Sequence, residues 1–205
     1  MIDLNEYRER KQYKSGSYGI IYENDDHTLT KIMRYPTTSP VALIKIKELN
    51  LDNFYKIFNI YVDNNGKNDY LVAYDMEKVV EEDINLVTMP IDFIITNLNI
   101  LINSFKVLSD NFIIVNDLHE DNIIINSNGI YIIDCDKYRC SPKYDKNLIY
   151  FSNIEYLKKA LYYHLAKNIN MFKKRKLKKL FESYDLEGII NTIKDSKSVY
   201  EYLKK

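Results

Sequence analysis

The chain has 205 residues, 46% of them hydrophobic, and its 29 Lys and Arg are balanced by 29 Asp and Glu. That length holds one compact domain or two small lobes, and the neutral balance gives no reason to expect a nucleic acid or an anionic membrane as partner. No uninterrupted run of about eighteen apolar residues points to a membrane span. The opening segment MIDLNEYRERK is charged where a signal peptide is apolar. The two cysteines, Cys135 and Cys140, are too few for a disulfide framework. A reducing, cytoplasmic setting is the expectation, with export as an effector left open.

In chain order, the stretch Lys14-Ser15-Gly16-Ser17-Tyr18-Gly19-Ile20-Ile21-Tyr22 comes first. Two glycines three apart before an apolar run suit a strand-turn-strand flap. Its backbone N–H groups can approach phosphates because no Cβ stands in the way, although an ordinary hairpin turn has the same pattern. After the polar turn Asn24 to His27, Leu29 to Met33 reads as a strand with Lys31 in its middle, and the bland reading of that lysine is an edge charge facing water. Pro36 to Pro40 is a loop, with Ser39 as N-cap and Pro40 at the first helical position. Val41, Leu43, Ile44 and Ile46 then form a short apolar helix that ends near Leu49-Asn50. Phe54 to Asp63 and Asn68 to Tyr74 read as strands around the turn Asp63-Asn64-Asn65-Gly66. The first part of the chain therefore has about five strands and one helix.

The second part is mainly helical. Pro90 to Leu108 places Phe93, Ile94, Leu98, Leu101, Ile102, Phe105 and Leu108 at the three-and-four spacing of a buried face. Helices follow over Leu148 to Leu165, Phe172 to Ser183, Leu186 to Ile193 and Ser196 to Leu203. The lysines of 173–179 read as a solvated face with an apolar seam, or as a patch for a phosphate or a partner.

Between these helices lies Ile113 to Asp136, IIVNDLHEDNIIINSNGIYIIDCD. An apolar entry ends in Asp117; Asn122 opens a β-branched run; the turn Asn126-Ser127-Asn128-Gly129 is a strong hairpin signal, since Asn and Gly tolerate positive φ. The return strand Ile130 to Ile133 delivers Asp134, so Asn122 and Asp134 should lie side by side with Asp117 close before them. An amide and a carboxylate are hard oxygen donors of the kind Mg²⁺ uses while bridging phosphates. A further carboxylate can orient or deprotonate an attacking hydroxyl. Read singly, the three residues are also ordinary strand-end and turn polars.

Asp117-Leu118-His119-Glu120-Asp121-Asn122 with Asp134-Cys135-Asp136 resembles the catalytic loop and metal-binding Asp of the protein kinase superfamily. The D-L-H-x-x-N and D-x-D wording is similar to its atypical and aminoglycoside- or choline-kinase-like branches. The resemblance covers about residues 10 to 165 and implies an α+β, bilobal fold: a β-rich N-lobe over 1–76 with one helix, and a mainly helical, truncated C-lobe over 77–205. Gly16 and Gly19 fall on the second and third glycines of G-x-G-x-x-G-x-V, with Ser17 between them, Ile21 on the valine and Lys31 on the phosphate-binding lysine of V-A-I-K. Leu71 to Met76 resembles the hinge, which implies that the backbone of Tyr74 to Met76 meets the adenine edge and that Ala73 lies near the residue gating the back pocket. Asp117 would be the catalytic carboxylate, and Asn122 and Asp134 the metal ligands. His119 stands where protein kinases carry a lysine near the γ-phosphate, and would bond a phosphate or brace the loop.

The pattern is broken at Lys14, which replaces the first glycine of the flap, in the helix, and before the catalytic Asp. Ala42 occupies the position of the helix glutamate that pairs with the strand lysine, so Lys31 needs an acid from elsewhere. Val115-Asn116 replaces His-Arg before the catalytic Asp, which removes the usual anchor for a phosphorylated activation segment. Asp136 is expected to stabilise the loop or contact a second cation. The expected function is an ATP- and Mg²⁺-dependent kinase acting on Ser or Thr of a protein, including itself at a stretch such as Thr37-Thr38-Ser39. A small-molecule phosphotransferase and a nucleotide-binding pseudokinase acting as an interaction module are the alternatives.

Overall fold

The computed structural model describes residues 9–35, 38–64, 66 and 68–204. Five antiparallel strands form the N-terminal sheet: β1 (Gln12–Ser15), β2 (Gly19–Glu23), β3 (Thr28–Met33), β4 (Ile57–Asn64) and β5 (Asp69–Glu77), in the order β1-β2-β3-β5-β4. Alternation sorts their faces. Lys31 is paired with Tyr74 and Leu29 with Met76 on the same side of the β3–β5 ladder, and all four side chains are buried. Lys31 is thus an interior residue of an interior strand, not an edge charge.

Helix α1 (Val41–Leu49) turns Ala42, Leu43 and Ile46 into the core. It ends on Asn50, whose left-handed φ of 46° lets its N–H return to the Ile46 carbonyl. Its start differs from expectation: Pro40 is itself the N-cap residue and no side chain caps the helix. Ser39 Oγ stands 3.5 Å from the Val41 nitrogen, too far to satisfy it well. Pro36 and Thr37, like Asn65 of the expected turn, lie outside the described residues.

The C-terminal part is helical: α2 (Ile91–Asp110), α3 (Lys146–Ala166), α4 (Met171–Ser183), α5 (Leu186–Ile193) and α6 (Val199–Lys204). Asp145, Asn170 and Asp185 cap α3, α4 and α5 by accepting first-turn N–H groups. By length and mean composition α2 is apolar enough to cross a membrane, although Asp92, Asn97, Asn99, Asn103 and Lys106 interrupt its apolar run. Here its face Ile94, Leu98, Leu101, Phe105 and Leu108 is buried in the core. On α4, Leu177, Leu180 and Phe181 are buried. Two of its lysines, Lys173 and Lys176, lie over the rings of Tyr200 and Tyr202, and Lys174, Arg175, Lys178 and Lys179 are exposed.

Between α2 and α3 the chain forms β6 (Ile113–Ile114), the hairpin β7 (Ile123–Asn126) and β8 (Gly129–Ile132), and β9 (Arg139–Cys140), which pairs with β6. The hairpin is where the sequence puts it, but its turn works differently. Among the described residues neither Asn126 nor Gly129 has a positive φ. Instead Asn126 Oδ1 accepts the N–H groups of Asn128 and Gly129 at 2.9 and 3.2 Å, an Asx turn. Gly129 is required by packing: a Cβ there would stand 2.9 Å from Asn97 Oδ1. That buried amide on α2 accepts from Asn53 Nδ2 and the Ile130 N–H, and so ties the segment after α1 to the hairpin.

Candidate active site

The hairpin brings its open end against the sheet, and the side chains that matter are held from the backbone outward. Ile133 N–H donates to the Asn122 carbonyl at 3.0 Å, and Asn122 Nδ2 donates to the Asp117 carbonyl at 2.8 Å. These bonds join the loop 117–122 to the end of the return strand. Asp117 and Asp134 both sit in left-handed backbone, at φ 59° and 62°. Asp tolerates that region better than most residues, yet each costs on the order of 1–3 kcal/mol, and such strain gathers at functional sites.

A cavity of about 540 Å³ lies between the sheet and the hairpin. Eleven of the residues singled out in the sequence line it: Gly16, Ser17, Gly19 and Ile21 from the flap, Lys31, Tyr74 and Met76 from β3 and β5, and Asp117, His119, Asn122 and Asp134 from below. Its volume is in the range of nucleotide-sized sites. Leu29, Ile124 and Ile133 add apolar walls.

Lys31 finds its acids across the cleft. Its ammonium hydrogen-bonds Asp134 Oδ1 and stands 3.0 Å from Asp136 Oδ2. The acids paired with Lys31 are thus Asp134 and Asp136, while Ala42 is packed in the core and Glu48 is exposed. Burial works against the Lys31 charge, but the two carboxylates outweigh it and hold its pKa above the ordinary lysine value. The carboxylates divide. Asp134 is also penalised by burial, yet Lys31 holds its pKa below the usual value. Asp136 is pushed up to about 6, by burial first and by the Asp134 charge second, against the pull of Lys31. The difference follows their contacts: Lys31 stands closer to Asp134, and the hydrogen bond between the two carboxyl groups favours the charge on Asp134 and the proton on Asp136.

Among the described residues no cluster of three His, Cys, Asp or Glu side chains forms a metal site. The donor set present is the sparser one magnesium uses beside phosphates. With its Nδ2 committed to Asp117, Asn122 has Oδ1 to offer, and Asp134 offers a partly open carboxylate. His119 braces the loop, because its Nδ1 accepts the Asp121 N–H at 3.3 Å. Asp121 in turn pairs with Lys167 at 2.8 Å.

Two details of the hinge differ from expectation. Tyr74, Asp75 and Met76 are paired with β3 on one side and β4 on the other, so their backbone groups are used within the sheet and cannot meet an adenine edge. Of the three, the side chains of Tyr74 and Met76 face the cavity. The chain leaves the sheet after Glu77, and Val79 is the first residue beyond the strand to line the cavity. Ala73 is buried beside Ile32 and Tyr61 on the ladder and does not line the cavity, whereas Tyr74 and Met76 do.

The flap glycines are also unequal. A Cβ on Gly19 would stand 2.6 Å from the Ile32 carbonyl, whereas one on Gly16 would meet nothing closer than 3.9 Å. Gly19 is needed for the close approach of β2 to β3, and Gly16 keeps the tip small.

Three supports have no signal in the linear sequence. Asn153 of α3 is fully buried; its Oδ1 accepts the Val115 N–H at 2.8 Å, and its Nδ2 donates to Ser109 Oγ and the Ile113 carbonyl. Tyr55 Oη accepts the Cys135 N–H at 3.2 Å and fixes the turn between the two acids. Lys137 pairs with Asp117. Asn at helical spacing and Tyr in a strand are too common to stand out, and only the fold brings them to the loop.

No family model matches this sequence, and no curated protein is recognisably similar to it. The fold does have relatives. The kinase PK-1 of Cydia pomonella granulovirus superposes with a TM-score of 0.51 over 86% of this chain and 75% of its own, at 15% identity. The Legionella pneumophila kinase Lpg2603, solved bound to IP6, is matched over 95% of this chain and 64% of its own at 16% identity, with a TM-score of 0.45. The chain has a protein-kinase-like fold, an antiparallel five-stranded N-terminal sheet followed by a helical C-terminal part.

Proposed function

We propose that the protein is a phosphotransferase that moves the γ-phosphoryl group of ATP to a hydroxyl. The observation that carries this reading is the convergence on one cavity of a buried strand lysine, a glycine flap and two aspartates in strained backbone. An assembly that is costly to build is expected where positioning and charge do the chemistry.

In this reading Lys31 holds the α- and β-phosphates, and the flap covers them with backbone N–H groups. Asn122 and Asp134 would hold magnesium, which when bound supplies neutralisation of the phosphate charge. Asp117 orients the acceptor hydroxyl and takes its proton. The acceptor oxygen bonds to phosphorus as the bridging P–O bond breaks, and ADP leaves with the electron pair. Asp136 orients Lys31, the observation against a non-catalytic binding module.

The acceptor we propose is a Ser or Thr hydroxyl of a protein, this chain included. A small-molecule alcohol is the second reading. It is favoured by the short connection 141–145 between β9 and α3, which leaves little platform for a peptide. Purified protein with γ-labelled ATP and Mg²⁺ tests both. Label on protein in the wild type but not in Asp134→Asn supports the first. Label only on added small alcohols supports the second. No consumption of ATP with any acceptor would sink the phosphotransferase reading.

A further inference from the structure

Resting on that reading, we infer that Lys137 is a catalytic residue: the cation that meets the phosphoryl group during transfer, held at its station by the flap residue Tyr18. Lys137 Nζ lies 2.6 Å from Asp117 Oδ2 and 3.1 Å from the centroid of the Tyr18 ring. All three residues line the cavity.

The position follows from where the acceptor must be. A hydroxyl oriented by Asp117 lies within hydrogen-bond reach of its carboxylate, and the phosphorus it attacks is about 3–3.5 Å further on. A cation already touching that carboxylate is therefore beside the oxygens on which charge is spread in the transition state. An ammonium has three donors: one is engaged by Asp117, the ring of Tyr18 faces the group, and a donor remains for a phosphoryl oxygen.

Of the other described cations lining the cavity, Lys31 is committed to Asp134 and Asp136 on the far side of the hairpin end, and Lys14 belongs to the outer strand β1. His119 is occupied as a brace. Lys137 is firmly based. Its carbonyl accepts from Asn116 Nδ2 at 3.3 Å, and the next residue, Tyr138, is buried with its N–H on the Cys135 carbonyl. Tyr18 is fixed in turn by its own carbonyl, which accepts the Arg34 N–H at 2.9 Å. The cation–π contact thus joins the flap tip to the segment after the metal-binding Asp, across the mouth of the cavity.

Lys137 stays protonated throughout. The acceptor proton goes to Asp117, the new O–P bond forms as the bridging P–O bond breaks, and ADP carries away the electron pair.

The test is steady-state ATP turnover by the full chain with Mg²⁺ and whichever acceptor it labels, for wild type, Lys137→Met, Lys137→Arg and Tyr18→Leu. Removing one transition-state cation should lower kcat by roughly 10²–10³-fold, with the KM for ATP changed by less than about threefold. ATP should still raise the melting temperature of the variant. Lys137→Arg should recover part of kcat, and Tyr18→Leu should lose about tenfold or less, since it keeps the cation but loosens it. An unchanged or faster Lys137→Met overturns the inference and marks the Lys137–Asp117 pair as an inhibitory contact. A loss confined to KM overturns it as well. A wild type that turns over no ATP overturns the phosphotransferase reading, and this inference falls with it.

Discussion

The two walls of the cleft are built by different means. The lower wall, from Asp117 to Asp136, is nearly self-sufficient: a hairpin of β-branched residues, backbone bonds from Ile133 to Asn122 and from Asn122 to Asp117, and the buried brace Asn153. The upper wall offers a flap and one lysine, and that lysine borrows both its acids from below. The lesson is that a buried strand lysine with no acid on its own helix is paired by the segment opposite. Closure of the site is then written into ion pairs that cross the cleft, not into the N-terminal sheet and its helix.

This asymmetry can be broken most severely at Lys31. Lys31→Met leaves Asp134 and Asp136 facing each other without a cation, and removing one partner of a buried pair costs about 3–5 kcal/mol. Urea unfolding should register a loss of that size, whereas a loss below about 1 kcal/mol would mean that water already compensates the acids.

Next in size is the lower wall's own support. Asn153→Leu leaves the Val115 N–H and the Ile113 carbonyl in the interior without their partner, at about 1–3 kcal/mol, and should reduce turnover through a displaced Asp117. An unaltered melting curve would mean that the loop around Asp117 does not depend on this brace.

The flap separates a folding glycine from a tip glycine. Gly19→Ala forces a methyl against the Ile32 carbonyl and should cost about 1–3 kcal/mol. Gly16→Ala, in open space, should stay within about 0.5 kcal/mol of wild type and act on the KM for ATP. Equal effects on stability would erase the distinction.

The smallest effect on folding, and the sharpest on the comparison, is expected at Asp136. Its pKa in the fold is raised to about 6, so the folded state favours its protonated form. That contribution is complete below the ordinary carboxylate value and lost as pH rises through about 6. Asp136→Asn should therefore match wild-type stability near pH 4 and equal or exceed it above pH 6, while turnover falls because Lys31 has lost an orienting charge. Greater wild-type stability at pH 7 would reverse the sign and make the acid a structural residue.

The elements that were readable from sequence were the local ones. The helix over Leu186–Ile193 keeps its predicted bounds and the helix ending at Leu49 keeps its predicted end, because apolar spacing and end residues act within a few turns. The hairpin and its three polar residues were readable for the same reason. What escaped depends on separation in sequence: Asp136 reaching Lys31, Asn153 reaching Val115, and Lys137 between Tyr18 and Asp117. The strand β5 runs past the residues that the sequence suggests for a hinge, because an apolar strand has no mark for where its backbone ceases to be paired. Gly129 looked like a turn residue and is a packing residue, since its crowding partner, Asn97, lies on α2.

The most direct measurement is the rate of ADP formation by the wild-type chain with Mg²⁺ beside Asp117→Asn and Asp134→Asn, with ATP binding followed by thermal shift in each. Phosphoryl transfer in this cavity predicts wild-type turnover that falls by at least about 10³-fold in both variants, with ATP still stabilising Asp117→Asn. Wild-type turnover that survives either substitution would contradict it.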